Sequence, residues 1–362
     1  MTNLFLQWAR ALLSRLTDLI MIAPRYILIT MGFVIVCLLF ACQESQHTGD
    51  TVAALDPYGF EILPGIELPV DGLYGRLSAT DDYLIWIEMF DNKVYVYDLE
   101  AKEMANIISI PRGEGPGEIE QVFSLTISES NTIYIAGSPN QSRMLKISNI
   151  GSDFLFDHIK LSVIPSIVRY CGENIYSLNM HNASQIINEI NFSNYSVRLF
   201  EENIINMESE FDNLMLKSGT LVCQKDLIFY FTQFIPDIYI YDLKERILTE
   251  RKTYERVDDM RGRGPFEGPG GGIVHLPPEE VDLRLHEATG FPGDDSSLLL
   301  MLEGRGGRFG RYTKDRVYRY NWIENEIIAY TELPAMASSV ASNSDTVFMF
   351  SDDDYNIYSF SY

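Results

Sequence analysis

Five arginines stand in two glycine-rich clusters, Arg261-Gly262-Arg263-Gly264-Pro265-Phe266 and Gly304-Arg305-Gly306-Gly307-Arg308-Phe309-Gly310-Arg311. A guanidinium offers a planar fork of donors that grips a carboxylate or sulfate through two bonds at once. In a chain of formal net charge −23, Arg261, Arg263, Arg305, Arg308 and Arg311 make a local positive site for an anionic glycan or peptide. The competing arrangement has them neutralised by Glu267, Glu303 and Asp315. Other clusters promise less. His275 and His286 flank Glu279, Glu280 and Asp282, but their spacing fits no compact metal motif, which needs three or four converging ligands. Asp352-Asp353-Asp354 lacks the spaced ligands and the glycine of a calcium loop, and reads as the turn of a hairpin. Arg112-Gly113-Glu114-Gly115-Pro116-Gly117-Glu118-Ile119 has the glycines of a phosphate loop. No Lys-Ser or Lys-Thr follows it, no helix opens after it, and Glu114 and Glu118 oppose phosphate. Its glycines suit a tight crossover between strands. There is no nucleophile elbow and no His-Glu-x-x-His. No catalytic residue, metal ligand or cofactor is assigned.

The N-terminus carries chemistry of another kind. Tyr26–Ala41 is almost wholly apolar, follows Arg25 and ends in Leu39-Phe40-Ala41-Cys42, after which the chain turns polar. A basic flank, a short apolar stretch and a small residue at the cut describe an export signal. A transmembrane anchor is the alternative, but the stretch is short for a span of about 20 residues. The ending resembles the lipobox of bacterial lipoproteins, which implies a lipid on Cys42. A signal starting at Met21 has standard proportions, so residues 1–20 are expected to be an upstream extension. The organisation expected is a signal region over 1–42, a polar tether over 43–55 and one folded body over 56–362. Residues 1–42 carry Arg10, Arg15 and Arg25 against Asp18, so their loss takes the net charge from −23 to −25. A field of that sign repels nucleic acid, so no nucleic-acid partner is expected. Of the four cysteines only Cys171 and Cys223 remain in the folded body. They precede corresponding strands of adjacent repeats and are expected to stay as buried free thiols, because equivalent strands of neighbouring blades stand far apart for a disulfide.

The elements that position these groups are strands. Aromatic-rich apolar runs recur in pairs, clearest in Tyr83–Met89 with Lys93–Asp98 and Leu227–Phe231 with Ile238–Asp242. Val94–Leu99 reads Val-Tyr-Val-Tyr-Asp-Leu, and Ile238–Leu243 reads Ile-Tyr-Ile-Tyr-Asp-Leu. Further copies start at Thr132, Asn174, Ser297 and Thr346, each alternating at period two and bounded by Asn, Asp, Gly or Ser. Six repeated hairpins predict an all-β, six-bladed β-propeller. The sixth copy lacks an outer strand, and Phe60–Leu63 or Ile66–Val70 is expected to supply it and close the last blade. Successive copies start 40 to 53 residues apart, except for 78 between the fourth and fifth. That excess places a Gly/Pro/Arg-rich insertion at about 256–296, and long loops in compact folds are usually functional or disordered.

With Val122-Phe123, Thr132–Ala136 and Arg143–Ile147, the Arg112–Ile119 run resembles the NHL-type repeat. More closely, its Gly-x-Gly-Pro-Gly-Glu resembles the linker between blades in the six-bladed NHL/TolB-like propeller lipoproteins of Gram-negative bacteria, over the repeats from about residue 55 onward. The resemblance implies a monomeric, lipid-anchored protein of the cell envelope, at the outer membrane. Its propeller is expected to bind a protein, peptide or glycan ligand without catalysis. The alternative is a metal-dependent hydrolase or lyase that uses the central channel.

Overall fold

The computed structural model describes residues 53–54, 58–70, 72, 74–115, 117–137, 141–150, 154–178, 187–191, 193–199, 219–233, 237–253, 266–267, 273–274, 283–306, 311–313, 316–351 and 353–362. Six of the sheets are blades, each built on a ladder of four strands from the axis outward, and Phe266–Glu267 with Ile273–Val274 form a separate two-stranded sheet. Blade 1 runs Tyr74–Ala79, Tyr83–Glu88, Lys93–Asp98 and Glu103–Ser109; blade 2 runs Val122–Ile127, Ile133–Gly137, Arg143–Ser148 and Leu155–Lys160. Blade 3 has Ile167–Cys171, Asn174–Leu178, Ile187–Asn191 and Val197–Leu199; blade 4 has Gly219–Gln224, Leu227–Thr232, Asp237–Asp242 and Ile247–Thr253. Blade 5 has Leu283–Gly290, Ser297–Gly306, Arg316–Asn321 and Glu326–Glu332. Blade 6 has Ala337–Ser342, Val347–Ser351 and Ile357–Ser361, and its outer strand is the N-terminal Tyr58–Ile62, antiparallel to Ile357–Ser361. The ring therefore closes as the sequence predicts, between the two ends of the propeller. Ala53–Ala54 adds a parallel strand outside Glu326–Glu332.

Alternation explains the ring. In the hexapeptide of blade 1, Val94 and Val96 pack toward blade 2 with Ile133, Ile135 and Leu145, while Tyr95 and Tyr97 pack toward blade 6 with Phe348 and Phe350. Blade 4 repeats the division: Ile238 and Ile240 meet Leu298 and Leu300 of blade 5, and Tyr239 and Tyr241 meet Tyr176 and Leu178 of blade 3. A middle strand is thus buried on both faces, which is why it reads as an unbroken apolar run. Similar packing joins blades 2 and 3 and blades 5 and 6, so the core consists of six inter-blade interfaces. The Asp at the fifth position of the hexapeptide builds the next turn: Asp98 Oδ1 accepts from the Glu100 and Ala101 amides, and Asp242 Oδ1 from those of Lys244 and Glu245. Four residues after each, Lys102 and Arg246 adopt left-handed backbone at φ 55° and 59°, the local hydrogen bonding of an Asx turn holding the chain there.

The innermost strands are the ones that sequence periodicity missed. Leu283–Gly290 lies within the stretch 256–296 expected to be an insertion, so the connection into blade 5 ends at residue 282. The Arg112–Ile119 run is a crossover from blade 1 to blade 2. Gly113 and Gly117 have φ of 148° and 77°, and the Arg143 guanidinium donates to the Glu114 and Gly113 carbonyls at 2.7 and 2.8 Å.

The expectation of free thiols is overturned, because Cys171 and Cys223 form a disulfide with Cα atoms 5.7 Å apart. Both lie on innermost strands, of blades 3 and 4, where the blades converge on the axis and backbone spacing falls within disulfide range. The bond closes a loop spanning 52 residues of sequence, for which chain entropy gives about 4 kcal/mol. Replacing both cysteines by serine is expected to lower the unfolding free energy in denaturant by an amount of that order. Non-reducing peptide mapping is expected to recover the Cys171 and Cys223 peptides as one linked species.

Candidate functional site

An innermost strand has a ladder partner on one side only, and its other edge faces the axis. Short polar side chains from the neighbouring blade satisfy it. Ser124 Oγ and Thr126 Oγ1 accept from the Val168 and Tyr170 amides at 3.2 and 2.9 Å, and Ser339 Oγ accepts from the Leu77 amide at 2.8 Å. Thr289 and Ser342 share a hydroxyl contact of 2.9 Å, and Ser342 Oγ donates to the Gly290 carbonyl.

Three charges stand on this polar wall. Arg76, Arg169 and Glu287 come from the innermost strands of blades 1, 3 and 5, alternate blades around the axis. The Glu287 side chain is 5% exposed and that of Arg169 14%. Arg169 donates from Nε to the Leu221 carbonyl at 3.1 Å and from Nη1 to its own neighbour Val168 at 3.2 Å. Its Nη2 lies 3.4 Å from Glu287 Oε1. The other Glu287 oxygen accepts from Ser339 Oγ at 2.6 Å and the Val340 amide at 3.0 Å. β-Bulges re-aim the chain here, with register shifts between Gly75 and Ser78 and between Leu285 and Glu287, as they commonly do beside functional sites. Arg76 lies within the first bulge at φ 46°, a conformation rare for a residue with a β-carbon. Burial lowers the Arg169 pKa to about 10, with Glu287 opposing the fall and Arg76 adding to it. Burial also lowers Arg76, against the attraction of Glu287.

Above this layer, at the C-terminal ends of the innermost strands, lies a cavity of about 440 Å³ to which all six blades contribute. Arg169 reaches its wall, with Ser78, Thr126, Gln224, Thr289 and Ser342 around it. Its size falls within the range of small-molecule sites. The turn Phe291–Asp295 forms part of the rim and is tightly fixed. Asp294 Oδ2 accepts from Ser297 Oγ and Arg319 Nη2, both at 2.6 Å, and Oδ1 from the Ser296 amide and hydroxyl. The Arg319 guanidinium also lies 4.0 Å from the centre of the Phe291 ring. Gln224 Nε2 donates to the Asp294 carbonyl at 2.9 Å, tying the turn to blade 4.

The candidate residues of the sequence fall elsewhere. Cys42, Arg261, Arg263 and Arg308 lie outside the described residues. Arg305 and Arg311 lie on the strands Ser297–Gly306 and Arg311–Thr313, whose register pairs Arg305 with Tyr312 and Gly306 with Arg311. Their side chains are outside the described ones. The backbone places both at the end of blade 5 remote from the cavity, since Gly304 pairs with Leu283 and the rim residue Gly290 with Leu298. His275, Glu279, Glu280 and Asp282 lie outside the described residues, whereas His286 Nε2 is 2.9 Å from the Ser338 carbonyl. Asp353 and Asp354 belong to the last hairpin turn, where Asp354 accepts from the Tyr358 hydroxyl and the Asn356 amide. Among the described residues no three His, Cys, Asp or Glu side chains gather as a metal site requires.

No protein-family model matches the chain, and no curated protein matches it in sequence. Among solved structures it is similar to a member of the DUF4221 family from Bacteroides vulgatus, at 12% identity over 85% of this chain and 96% of that chain, with a TM-score of 0.56. Hydrazine synthase from Kuenenia stuttgartiensis matches at 10% identity over 87% and 99% of the two chains, with a TM-score of 0.49. The β-propeller domain of Myceliophteria thermophila Cps50 (Swd1) matches at 9% over 84% and 100%, with a TM-score of 0.48. Likeness at these identities is likeness of fold. The protein is a six-bladed β-propeller.

The rim turn gives a pH-dependent expectation. Burial works against the charge of Asp294, but its hydrogen bonds from Ser296, Ser297 and Arg319 outweigh that and hold the carboxyl well below its ordinary range. A carboxyl depressed on folding adds stability that is complete above its unfolded pKa of about 3.9 and is lost as pH falls below it. Asp294→Asn is expected to lower the Tm at pH 7, and the gap to the wild-type protein is expected to narrow as pH is lowered to 3.

Proposed function

We propose that this chain is an exported propeller, anchored to the cell envelope at the outer membrane by lipid on Cys42, that acts as a monomeric binding module. Its ligand occupies the cavity at the end of the channel. The observation that carries this reading is the cavity itself. Its wall draws on all six blades, its rim turn is fixed by Asp294 and Arg319, and its lining is polar. Recognition sites commonly lie where loops meet a rigid scaffold, and a site held on paired strands is preorganised for a ligand. Catalysis by a metal in the channel is disfavoured by charge. The layer beneath the cavity sets two guanidinia against one carboxylate, which opposes a divalent cation.

Ser78 lines the cavity, so Ser78→Trp fills the site from an innermost strand. A thermal-shift screen of sugars, sugar acids, amino acids and short peptides is expected to yield a ligand that stabilises the wild-type protein and not the tryptophan variant. A screen without such a ligand, or one in which stabilisation survives the substitution, overturns the reading. Anchoring is tested separately. Growth with radiolabelled palmitate is expected to label the wild-type protein, and Cys42→Ser is expected to abolish both the label and sedimentation with membranes.

A further inference from the structure

The Arg76 guanidinium has no hydrogen-bond or ion-pair partner among the described residues, although the chain spends a bulge and a left-handed residue on placing it at the channel wall. Among the described residues, the opposite charge that acts on it is that of Glu287, whose two oxygens are already engaged by Arg169, Ser339 and Val340. The layer therefore holds one positive charge in excess, inside a chain whose formal net charge is −23. A guanidinium withdrawn from water without an anionic partner is costly. A fold that needed only mechanical support at this position would be more stable with an apolar side chain there. Arg76 remains partly reachable by solvent in the layer beneath the cavity, and Arg169, near enough for the charge of Arg76 to act on it, reaches the cavity wall. Above them the lining includes the hydroxyl side chains of Ser78, Thr126, Thr289 and Ser342. The one Lys–Asp pair at the rim, Lys225 with Asp295, is self-neutralising.

We infer that the channel is a carboxylate site. Its ligand is a small polyhydroxylated acid of the hexuronate kind, with the carboxylate drawn to Arg76 and Arg169 and the hydroxyls against the serines and threonines of the cavity. This deepens the binding-module reading and rests on it. The excess charge supplies what a sugar acid has and a neutral sugar lacks, and a planar fork of donors suits a carboxylate better than a point charge does. Glu287 positions Arg169 by accepting from it, and keeps the layer from repelling itself apart.

Calorimetric titration of the purified full chain with glucuronate and galacturonate, and with glucose and galactose as neutral counterparts, tests the assignment. A hexuronate is expected to bind at least tenfold more tightly than its neutral hexose. Arg76→Gln is expected to remove that difference while leaving the Tm of the unliganded protein at or above the wild-type value. A purely supporting role for Arg76 predicts the reverse, a fall in Tm with hexuronate preference intact, and that result overturns the proposal. Equal binding of acid and neutral sugar also overturns it, as does absence of hexuronate binding. In either case a different ligand that loses its hold in Ser78→Trp leaves the binding-module reading standing.

Discussion

The free inner edge of the first strand in each blade is the constraint from which the rest of this propeller follows. A sheet edge that faces a channel cannot be left with unpaired amides and carbonyls, and there is no room for a further strand at the axis. The chain answers with Ser and Thr side chains reaching across to a neighbouring blade: Ser124 and Thr126 to blade 3, Ser339 to blade 1, Ser342 to blade 5. Because these residues must be polar, the innermost strands cannot carry the apolar runs that fill the outer blades. The ring is therefore held by two kinds of bond, apolar packing between the middle strands and polar stitching around the axis.

The same constraint makes the channel a place where charge is tolerated. A guanidinium on a middle strand would meet a neighbouring sheet on either face, whereas one on an innermost strand meets carbonyl oxygens, hydroxyls and channel water. Arg169 exploits this by donating to Leu221 and Val168 while approaching Glu287. Removing Glu287 would leave two like charges without their shared counter-ion, the situation in which a buried pair is strongly missed. Convergence at the axis also explains the disulfide. Cys171 and Cys223 lie on adjacent innermost strands, and Cys223 borders the cavity, so the covalent link braces the wall between blades 3 and 4.

What could be read from the sequence and what could not divides along the same line. The second and third strands were legible because burial on both faces gives them runs such as Leu227–Thr232 and Asp237–Asp242, and the closing role of the N-terminal strand followed from counting. The first strands were not legible. Tyr-Gly-Arg-Leu-Ser-Ala, Gly-Thr-Leu-Val-Cys-Gln and Ala-Ser-Ser-Val-Ala-Ser are interrupted by polar residues and, in blades 1 and 6, by bulges. Missing them hid the nearness of the two cysteines and made Leu283–Gly290 look like part of an insertion. Arg76, Arg169 and Glu287 are far apart in sequence and belong to no motif. Their local sign is slight, a charge within a short strand-like run between two hairpins. The glycine-flanked arginines drew attention instead because clustering along a chain is easy to see, and convergence in space is not.

The blades also indicate where specificity resides, by how unequally they resemble one another. The hexapeptides of blades 1 and 4 are nearly interchangeable, aliphatic toward the next blade and tyrosine toward the one before, because any blade must present those two faces to close a ring. The first strands share no such pattern. Arginine appears in blades 1, 3 and 5, glutamate in blade 5 beside it, serine and threonine in blade 2 and serine in blade 6. Closure demands only that their inner edges be satisfied, a requirement that hydroxyls alone meet in blade 2. Charge beyond that is not needed to build the ring, and three charged side chains on alternate blades exceed what stitching requires. In a fold that hosts many unrelated functions, the residues that distinguish this propeller are those that closure leaves unconstrained, and in this chain they face the channel.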